Sequence, residues 1–261
     1  MIINPYIFGG FDADAQAFIT AAGITDNTQK TAINTLVVSL KGYNIWTKMK
    51  AIYPMVGGTS TTHKFNLKNP LDTNAAFRLV FAGGWTHSST GAKPNGTNAY
   101  ADTFLSPNTS LLLNDQHISY YTRTNSNGTE VEIGCVDNGT APTTLLEIRT
   151  SGITYASLAT NAYTTYTDPN SLGFYLGSRT ASNLTRLFKN GSNVASSTTV
   201  STTNPIANIF LGVLNRSPQP VAYYSTKECA FSSIGDGLSV TEAANFYTAV
   251  QNFQVALSRN V

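Results

Sequence analysis

Apolar and polar positions alternate along this chain with two different periods, and the change falls near residue 58. Before it the spacing is helical. Phe11, Ala15, Phe18, Ile19 and Ala22 share one side of a helix, with Asp12 placed to cap its start and Gly23 to stop it. A second helix opens at Asp26, with Gln29 three residues on as in a capping box. Its stripe is Ala32, Ile33, Leu36, Val37 and Leu40, and Gly42 closes it. Ile45, Trp46 and Met49 predict a short third helix over 45–50, with Trp46 in the core. That helix ends before Pro54, because a residue that precedes proline is pushed to extended geometry.

From Thr61 to Ser233 the period becomes two. The predicted strands are 64–67, 77–81, 100–104, 117–123, 130–136, 145–150, 153–158, 172–178, 185–189, 192–197, 209–214 and 227–233. Ile118, Tyr120 and Thr122 alternate with Ser119, Tyr121 and Arg123. Val131, Ile133 and Cys135 alternate with Glu130, Glu132 and Gly134. One face of each strand should pack inward, while the other meets water or a second sheet. Asn190-Gly191 is the sharpest local signal, because Asn-Gly favours the positive φ angles of a two-residue hairpin turn. Ser151-Gly152 gives a weaker hairpin. The chain turns helical again at Ser239-Val240-Thr241-Glu242, a capping box followed by Ala243, Phe246, Val250, Phe253 and Leu257 on one face.

Composition narrows the function classes. Charged residues are 11% of the 261, against about 25% in an ordinary domain. Ser, Thr and Asn replace them at about a third of the chain, and their expected places are turns and outward strand positions. The formal net charge is +2 with no basic run, so nucleic acid is not an expected partner. No run nears the ~18 apolar residues of a membrane span, and Met1 to Gly10 does not have the form of a secretory signal. The two cysteines, Cys135 and Cys229, lie in alternating runs and read as buried small hydrophobes. His63, His87 and His117 show no metal-ligand spacing. No cofactor is expected. Calcium would suit a sandwich of this kind, but no acidic cluster is dense enough to hold it.

Three kinds of chemistry bear on these residues. Glu130-Val131-Glu132 puts two carboxylates on one strand face, the minimum for a glycosidase pair. The alternative is two exposed strand residues facing solvent, and no catalytic residue is assigned. No G-x-S-x-G elbow, P-loop or dinucleotide motif occurs. Sugar binding needs aromatic faces with hydroxyl-reading polar groups. Trp85, His87, Asn95, Asn98 and Tyr100 on a loop over 84–100, with Tyr120, are the candidate carbohydrate-binding residues. Tyr121, Tyr223 and Tyr224 are further candidates. Trp85 could equally be a rim anchor, His87 a turn residue, and the tyrosines ordinary strand residues. The Asn-x-Ser/Thr triplets at Asn95, Asn108, Asn127, Asn138 and Asn183 suit turn composition as well as glycosylation.

Leu187-Phe188-Lys189-Asn190-Gly191-Ser192-Asn193-Val194 resembles the Asn-Gly hairpin of concanavalin A-like (laminin-G-like) jelly-roll domains. Ile234-Gly235-Asp236-Gly237-Leu238-Ser239-Val240-Thr241-Glu242 resembles the phrase that introduces their late helix. The stretch from Phe18 to Asp26, with Leu40 to Met49, is similar to the helical lead-in of structural proteins in phages of Bacteroidetes-type hosts, where it also precedes such a jelly roll. Ala51 to Gly57, His63 to Lys68, Ala76 to Leu79, Gly84 to Ser88 and Phe253 to Val261 continue that likeness. The resemblance implies an all-β jelly-roll sandwich of the concanavalin A-like lectin and glucanase kind, with a short N-terminal helical segment and a C-terminal helix. The expected divisions are an arm over 1–10, a helical lead-in over 11–58 and the jelly roll over 59–261. The implied role is a non-enzymatic virion component, in a capsid-decoration, head-fibre or tail-fibre position, with a glycan as a candidate ligand. A soluble carbohydrate-binding module or adhesin, and then a glycoside hydrolase, are the alternatives. The apolar arm residues Ile2, Ile3, Tyr6, Ile7 and Phe8 would be costly to leave in water, so they are expected to dock on a second subunit or another virion protein, in a homo-oligomer.

Overall fold

The computed structural model describes residues 10–261. The arm residues Ile2, Ile3, Tyr6, Ile7 and Phe8, and the docking expected of them, lie outside the described residues.

The two leading helices form where the pattern places them, as α1 (Ala13–Ala21) and α2 (Asn27–Gly42). Asp12 and Asp26 cap them by accepting from Asp14 N at 3.0 Å and Gln29 N at 2.8 Å. The capping box at Asp26 is not reciprocal, because the Gln29 side chain accepts from Gly57 N instead. The expected third helix shrinks to one 3₁₀ turn over Trp46–Lys48 and becomes strand β1 (Met49–Tyr53). Met49 and Ile52 of that strand meet the helices, while Ala51 and Tyr53 enter the sandwich. The strand expected over 64–67 does not form. A short helix α3 (Ser60–His63) precedes it, and the Asn66 side chain takes over the hydrogen bonds a strand would make. Asn66 accepts from Ile52 N at 2.9 Å and donates to Lys50 O and Ala76 O.

The remaining strands follow as β2 (Val80–Ala82), β3 (Trp85–Ser88), β4 (Gly91–Pro94) and β5 (Tyr100–Asp102). After the short helix α4 (Pro107–Ser110) come β6 (Gln116–Thr122), β7 (Ile133–Val136), β8 (Thr143–Thr150), β9 (Ile153–Thr160) and β10 (Thr164–Thr167). Then come β11 (Gly173–Ala181), β12 (Leu184–Lys189), β13 (Ser192–Ser197), β14 (Phe210–Leu211) and β15 (Cys229–Gly235). The last helix is α5 (Val240–Ala256), and its Ser239/Glu242 capping box is reciprocal. Asn190 and Gly191 have φ of 49° and 76°, so the β12–β13 hairpin turns as its sequence requires.

The strands make two antiparallel sheets. One runs β13-β12-β11-β6-β15-β4-β3, with β1 also on β15; the other runs β10-β9-β8-β7-β14-β5-β2. Ile118, Tyr120, Tyr175 and Leu187 of the first sheet meet Ile133, Leu146, Leu158 and Leu211 of the second in the interior. The first sheet's other face is buried too. Tyr121, Phe174, Leu176, Phe188 and Phe231 lie under α1, α2 and α5, whose Phe18, Leu36, Phe246 and Phe253 close a second core. Burying each such side chain contributes roughly 1.5–3 kcal/mol. The molecule is therefore a helix layer on a two-sheet sandwich, and the helical segment and the sandwich share one core. The helices cover the first sheet, which leaves the outer face of the second sheet open around β7, β8 and β9.

Candidate functional site

The loop expected over 84–100 is largely a hairpin, β3 with β4. The structure brings Trp85, His87, Asn95, Asn98 and Tyr100 together there, but their polar groups hold the hairpin. Trp85 Nε1 donates to Tyr100 O at 3.0 Å, and its ring packs edge-on against Phe81. Asn95 Oδ1 accepts from Thr97 N, Asn98 N and Ala99 N. Asn98 Oδ1 accepts from Gly84 N and Asn95 Nδ2. Tyr100 stacks on Phe210 at 5.1 Å. His87 Nδ1 lies 3.0 Å from His63 Nδ1, a pairing the 24-residue separation hides in the sequence. Burial lowers both histidines, His63 to about 3, so the pair is neutral. Tyr120 does not belong to this group. It is fully buried in the sandwich with its hydroxyl donating to Lys227 O, so it presents no face to a sugar.

Glu130 and Glu132 are not exposed strand residues either. Strand β7 begins only at Ile133, and the two carboxylates turn onto a buried ammonium. Lys227 Nζ lies 3.1 Å from Glu130 Oε2 and 3.1 Å from Glu132 Oε1. Thr226 N and Oγ1 donate to Glu130, Ser225 Oγ to Glu132, and Ile148 N to Glu132 Oε2. Glu132 and Lys227 are fully buried. Burial drives the Glu132 carboxyl up to about 7 against the pull of Lys227 and Ile148 N–H. Glu130 stays below its ordinary value, because its bonds from Thr226 and Lys227 outweigh burial. Both carboxylates are engaged inside the protein, so their geometry is that of an internal ion cluster and not of a cleft acid and nucleophile.

The open sheet carries a different constellation. Glu147 points outward from β8, next to Leu145, and is half-buried. Thr129, Val131, Leu145, Glu147, Tyr163, Leu214 and Tyr223 line a cleft of about 160 Å³. That is smaller than the roughly 300 Å³ at which drug-sized pockets begin, and so suits a single ring. Its floor is a small apolar cluster of Val131, Val136, Leu145 and Leu214. Tyr163 and Tyr223 are 46% and 48% exposed, an unusual state for two large aromatic residues on one cleft. Tyr155 meets Tyr163 edge-on at 5.6 Å and steadies it. Tyr223 sits at φ 62°, a conformation costly for a bulky side chain and enriched at ligand clamps. It is held there by Val131 N donating to Tyr223 O at 2.9 Å, and by paired bonds between Leu214 and Ala222. Burial raises the Glu147 carboxyl. Burial and the nearby Glu147 raise the Tyr163 hydroxyl. Composition had marked Tyr223; what brings it to Tyr163 and Glu147 is the pairing of β8 with β9 and the return of the 212–225 loop, which no local pattern encodes.

A larger groove of about 400 Å³ lies between α2 and α5. It is lined by Asn27, Thr28, Thr31, Ala32, Thr35, Asn252, Phe253 and Ala256, none of them titratable. Cys135 and Cys229 are both buried and free. Among the described residues, no group of three or more His, Cys, Asp or Glu side chains could hold a metal ion, and no helix is long and apolar enough to cross a membrane.

No family model and no curated protein matches this chain. Solved structures do. A mutant Trypanosoma rangeli sialidase displaying trans-sialidase activity aligns over 85% of this chain and 39% of its own length, at 11% identity and a TM-score of 0.53. The chain thus spans less than half of that sialidase. The binding domain of botulinum neurotoxin DC in complex with SialylT aligns over 67% of this chain and 47% of its own, at 12% identity and TM-score 0.48. The CBM40 module of a Ruminococcus gnavus IT-sialidase aligns over 51% and 82%, at 19% identity and TM-score 0.39. The likeness is one of fold. The chain is an all-β jelly-roll sandwich of two antiparallel sheets, with an N-terminal helical segment and a C-terminal helix.

Proposed function

We propose that this chain is a non-enzymatic structural protein of a phage particle, and that its sandwich presents a glycan-binding cleft on the open sheet. The observation that carries the binding half is the cleft itself: two half-exposed tyrosines flank a carboxylate over an apolar floor. Aromatic faces pack on the C–H side of a sugar ring, and a carboxylate accepts from its hydroxyls. The virion half rests on the likeness of the Phe18–Met49 stretch to phage lead-in segments. A soluble carbohydrate-binding module or adhesin would use the same cleft. A glycoside hydrolase is less well supported, because Glu130 and Glu132 are bound to Lys227. Assembly as a homo-oligomer, or on other virion proteins, is assigned to the arm over 1–10.

Glycan-array binding of the full chain, compared with Tyr163→Ala and Tyr223→Ala, tests the cleft. Each truncation should weaken binding about tenfold or more, on the scale of a lost aromatic stacking contact. Binding untouched by both would remove the site. Mass spectrometry of purified particles tests the location, and absence of the chain from them would refute it. An unchanged oligomer after deletion of residues 1–10 would sink the role of the arm.

A further inference from the structure

We infer that the Glu147 cleft takes a neutral sugar ring and discriminates against sugars that carry a carboxylate. This rests on the glycan-binding reading and sharpens its ligand class.

Charge in the cleft decides the matter. Of the residues that line it, Glu147 carries the only carboxyl group, and none is an arginine, lysine or histidine. The cation felt by Glu147 is Lys227, which is fully buried and already held between Glu130 and Glu132. It is not free to meet a ligand anion. The Tyr163 hydroxyl, raised by burial and by Glu147, keeps its proton at neutral pH and adds no positive charge. A sialic or uronic acid would therefore bring a second carboxylate beside Glu147 with no arginine or lysine among the lining residues to offset it. Recognition of a carboxylate ordinarily uses such a cation, most often a bidentate arginine.

A neutral pyranose fits the same atoms without that conflict. Neighbouring hydroxyls can donate to the two oxygens of Glu147, which are acceptors only. Thr129 offers a further hydroxyl at the exposed rim. The C–H face of the ring can lie on Val131, Leu145 and Leu214, with Tyr163 and Tyr223 closing the sides. The strained Tyr223 backbone is held by hydrogen bonds within the protein, from Val131 N and between Leu214 and Ala222, so the wall is preorganised.

The test is calorimetric titration of the full chain with matched pairs: lactose against sialyllactose, and neutral against uronic-acid oligosaccharides of the same length. Glu147→Gln is measured beside the unchanged protein. Neutral members should bind at least about tenfold more tightly than their acidic partners. Glu147→Gln should weaken neutral binding about ten- to hundredfold, the value of a hydrogen bond to a charged group, and should narrow the gap between partners. An acidic member that binds as well as or better than its neutral partner overturns this inference and leaves the glycan reading standing. Binding to no member of the panel overturns the glycan reading, and this inference with it. An unchanged melting temperature of Glu147→Gln, whose side chain is only half-buried, confirms that the variant is folded.

Discussion

Replacing Lys227 with methionine removes the only cation from the cluster that holds Glu130 and Glu132. Methionine fills much of the lysine stem's volume, so the change deletes charge and little packing. The backbone carbonyl of residue 227 still accepts from the Tyr120 hydroxyl. Two carboxylates then share a dry site. Breaking a buried ion pair by removing one partner costs about 3–5 kcal/mol. A proton is the available relief. Glu132, already at about 7 through burial, will rise further once Lys227 is gone, while Thr226 continues to anchor Glu130 as an anion. A folded-state pKa raised above its unfolded value contributes stability that is fully present below the unfolded value and lost as pH rises through the folded one. In the unchanged protein that loss is nearly complete just above pH 7. In Lys227→Met it continues, at about 1.4 kcal/mol per pH unit for one proton. Urea denaturation of both proteins from pH 5 to 9 should therefore show Lys227→Met less stable by several kcal/mol at pH 8. The gap should widen from pH 7 to 9 and narrow toward pH 5. Glu132→Gln added to Lys227→Met should abolish the widening. A single variant within about 1 kcal/mol of the unchanged protein at pH 8, or a gap that grows as pH falls, would refute the ion-cluster reading.

Three further expectations concern two sets of buried groups and one close backbone approach. His63 and His117 are held neutral by burial, at about 3 and about 4 against 6.5 unfolded. Their contribution is present above 6.5 and lost as pH falls toward those values. Partly offset by Glu132, the loss should be on the order of 1.4 kcal/mol per pH unit below 6.5, and a denaturation midpoint that rises from pH 6.5 to 5 would contradict it. Arg259 donates to Pro54 O and Met55 O at 2.6 Å each and to Ala230 O at 2.9 Å, tying the segment after α5 to the residues that follow β1 and to β15. Arg259→Met should cost roughly 3 kcal/mol or more in thermal or chemical melts, because the buried Pro54 and Met55 carbonyls lose their donor. Gly83 has φ +73°, and a Cβ there would lie 2.0 Å from Asn98 O. Gly83→Ala should lose at least about 1–3 kcal/mol, and a neutral result would show that the link between β2 and β3 can move away from Asn98.

Much of the fold is legible in the sequence because its signals are local. The Asp12 and Ser239 caps, the α2 stripe and the Asn190-Gly191 turn each need only a few neighbouring residues, and each appears where it is expected. The strands that escape are those whose composition is set by an edge or by two covered faces. Thr164–Thr167 and Trp85–Ser88 are end strands rich in Thr, Ser or His, with no clean alternation to find. Met49–Tyr53 is apolar on both sides, because helices cover one face and the sandwich the other. Its first residue also falls at helical spacing from Ile45, and that spacing favours the wrong element. The site is less legible for a related reason. Glu130 and Glu132 read as solvent-facing because Lys227, 95 residues beyond Glu132, cannot be placed beside them from spacing. Trp85 and Asn95 have the chemistry of a sugar site, but tertiary contacts spend it on a turn.

The scarcity of charge has a structural meaning that composition hides. Among the described residues, several of the charges are buried and engaged: Lys227 with two glutamates, Asp168 with Lys189, Arg179 on Leu158 O and Ser182 O, and Arg259 on Pro54 O and Met55 O. The uncharged polar residues are not confined to turns and outward positions either. Ser119, Ser178 and Ser233 are buried where the first sheet meets the helix layer. There Ser233 Oγ lies 2.6 Å from Ser119 Oγ and 3.0 Å from His117 Nε2, and Ser178 donates to Leu238 O. Hydroxyls can be buried at small cost when each finds a partner, whereas unpaired charges cannot. The chain therefore spends Ser and Thr inside as well as outside, and reserves charge for a few internal clamps. An outer face built this way offers a ligand hydroxyls, aromatic rings and an isolated carboxylate in place of a charged patch. That is why the Glu147 cleft, and not a basic or metal-bearing surface, carries the functional argument for this molecule.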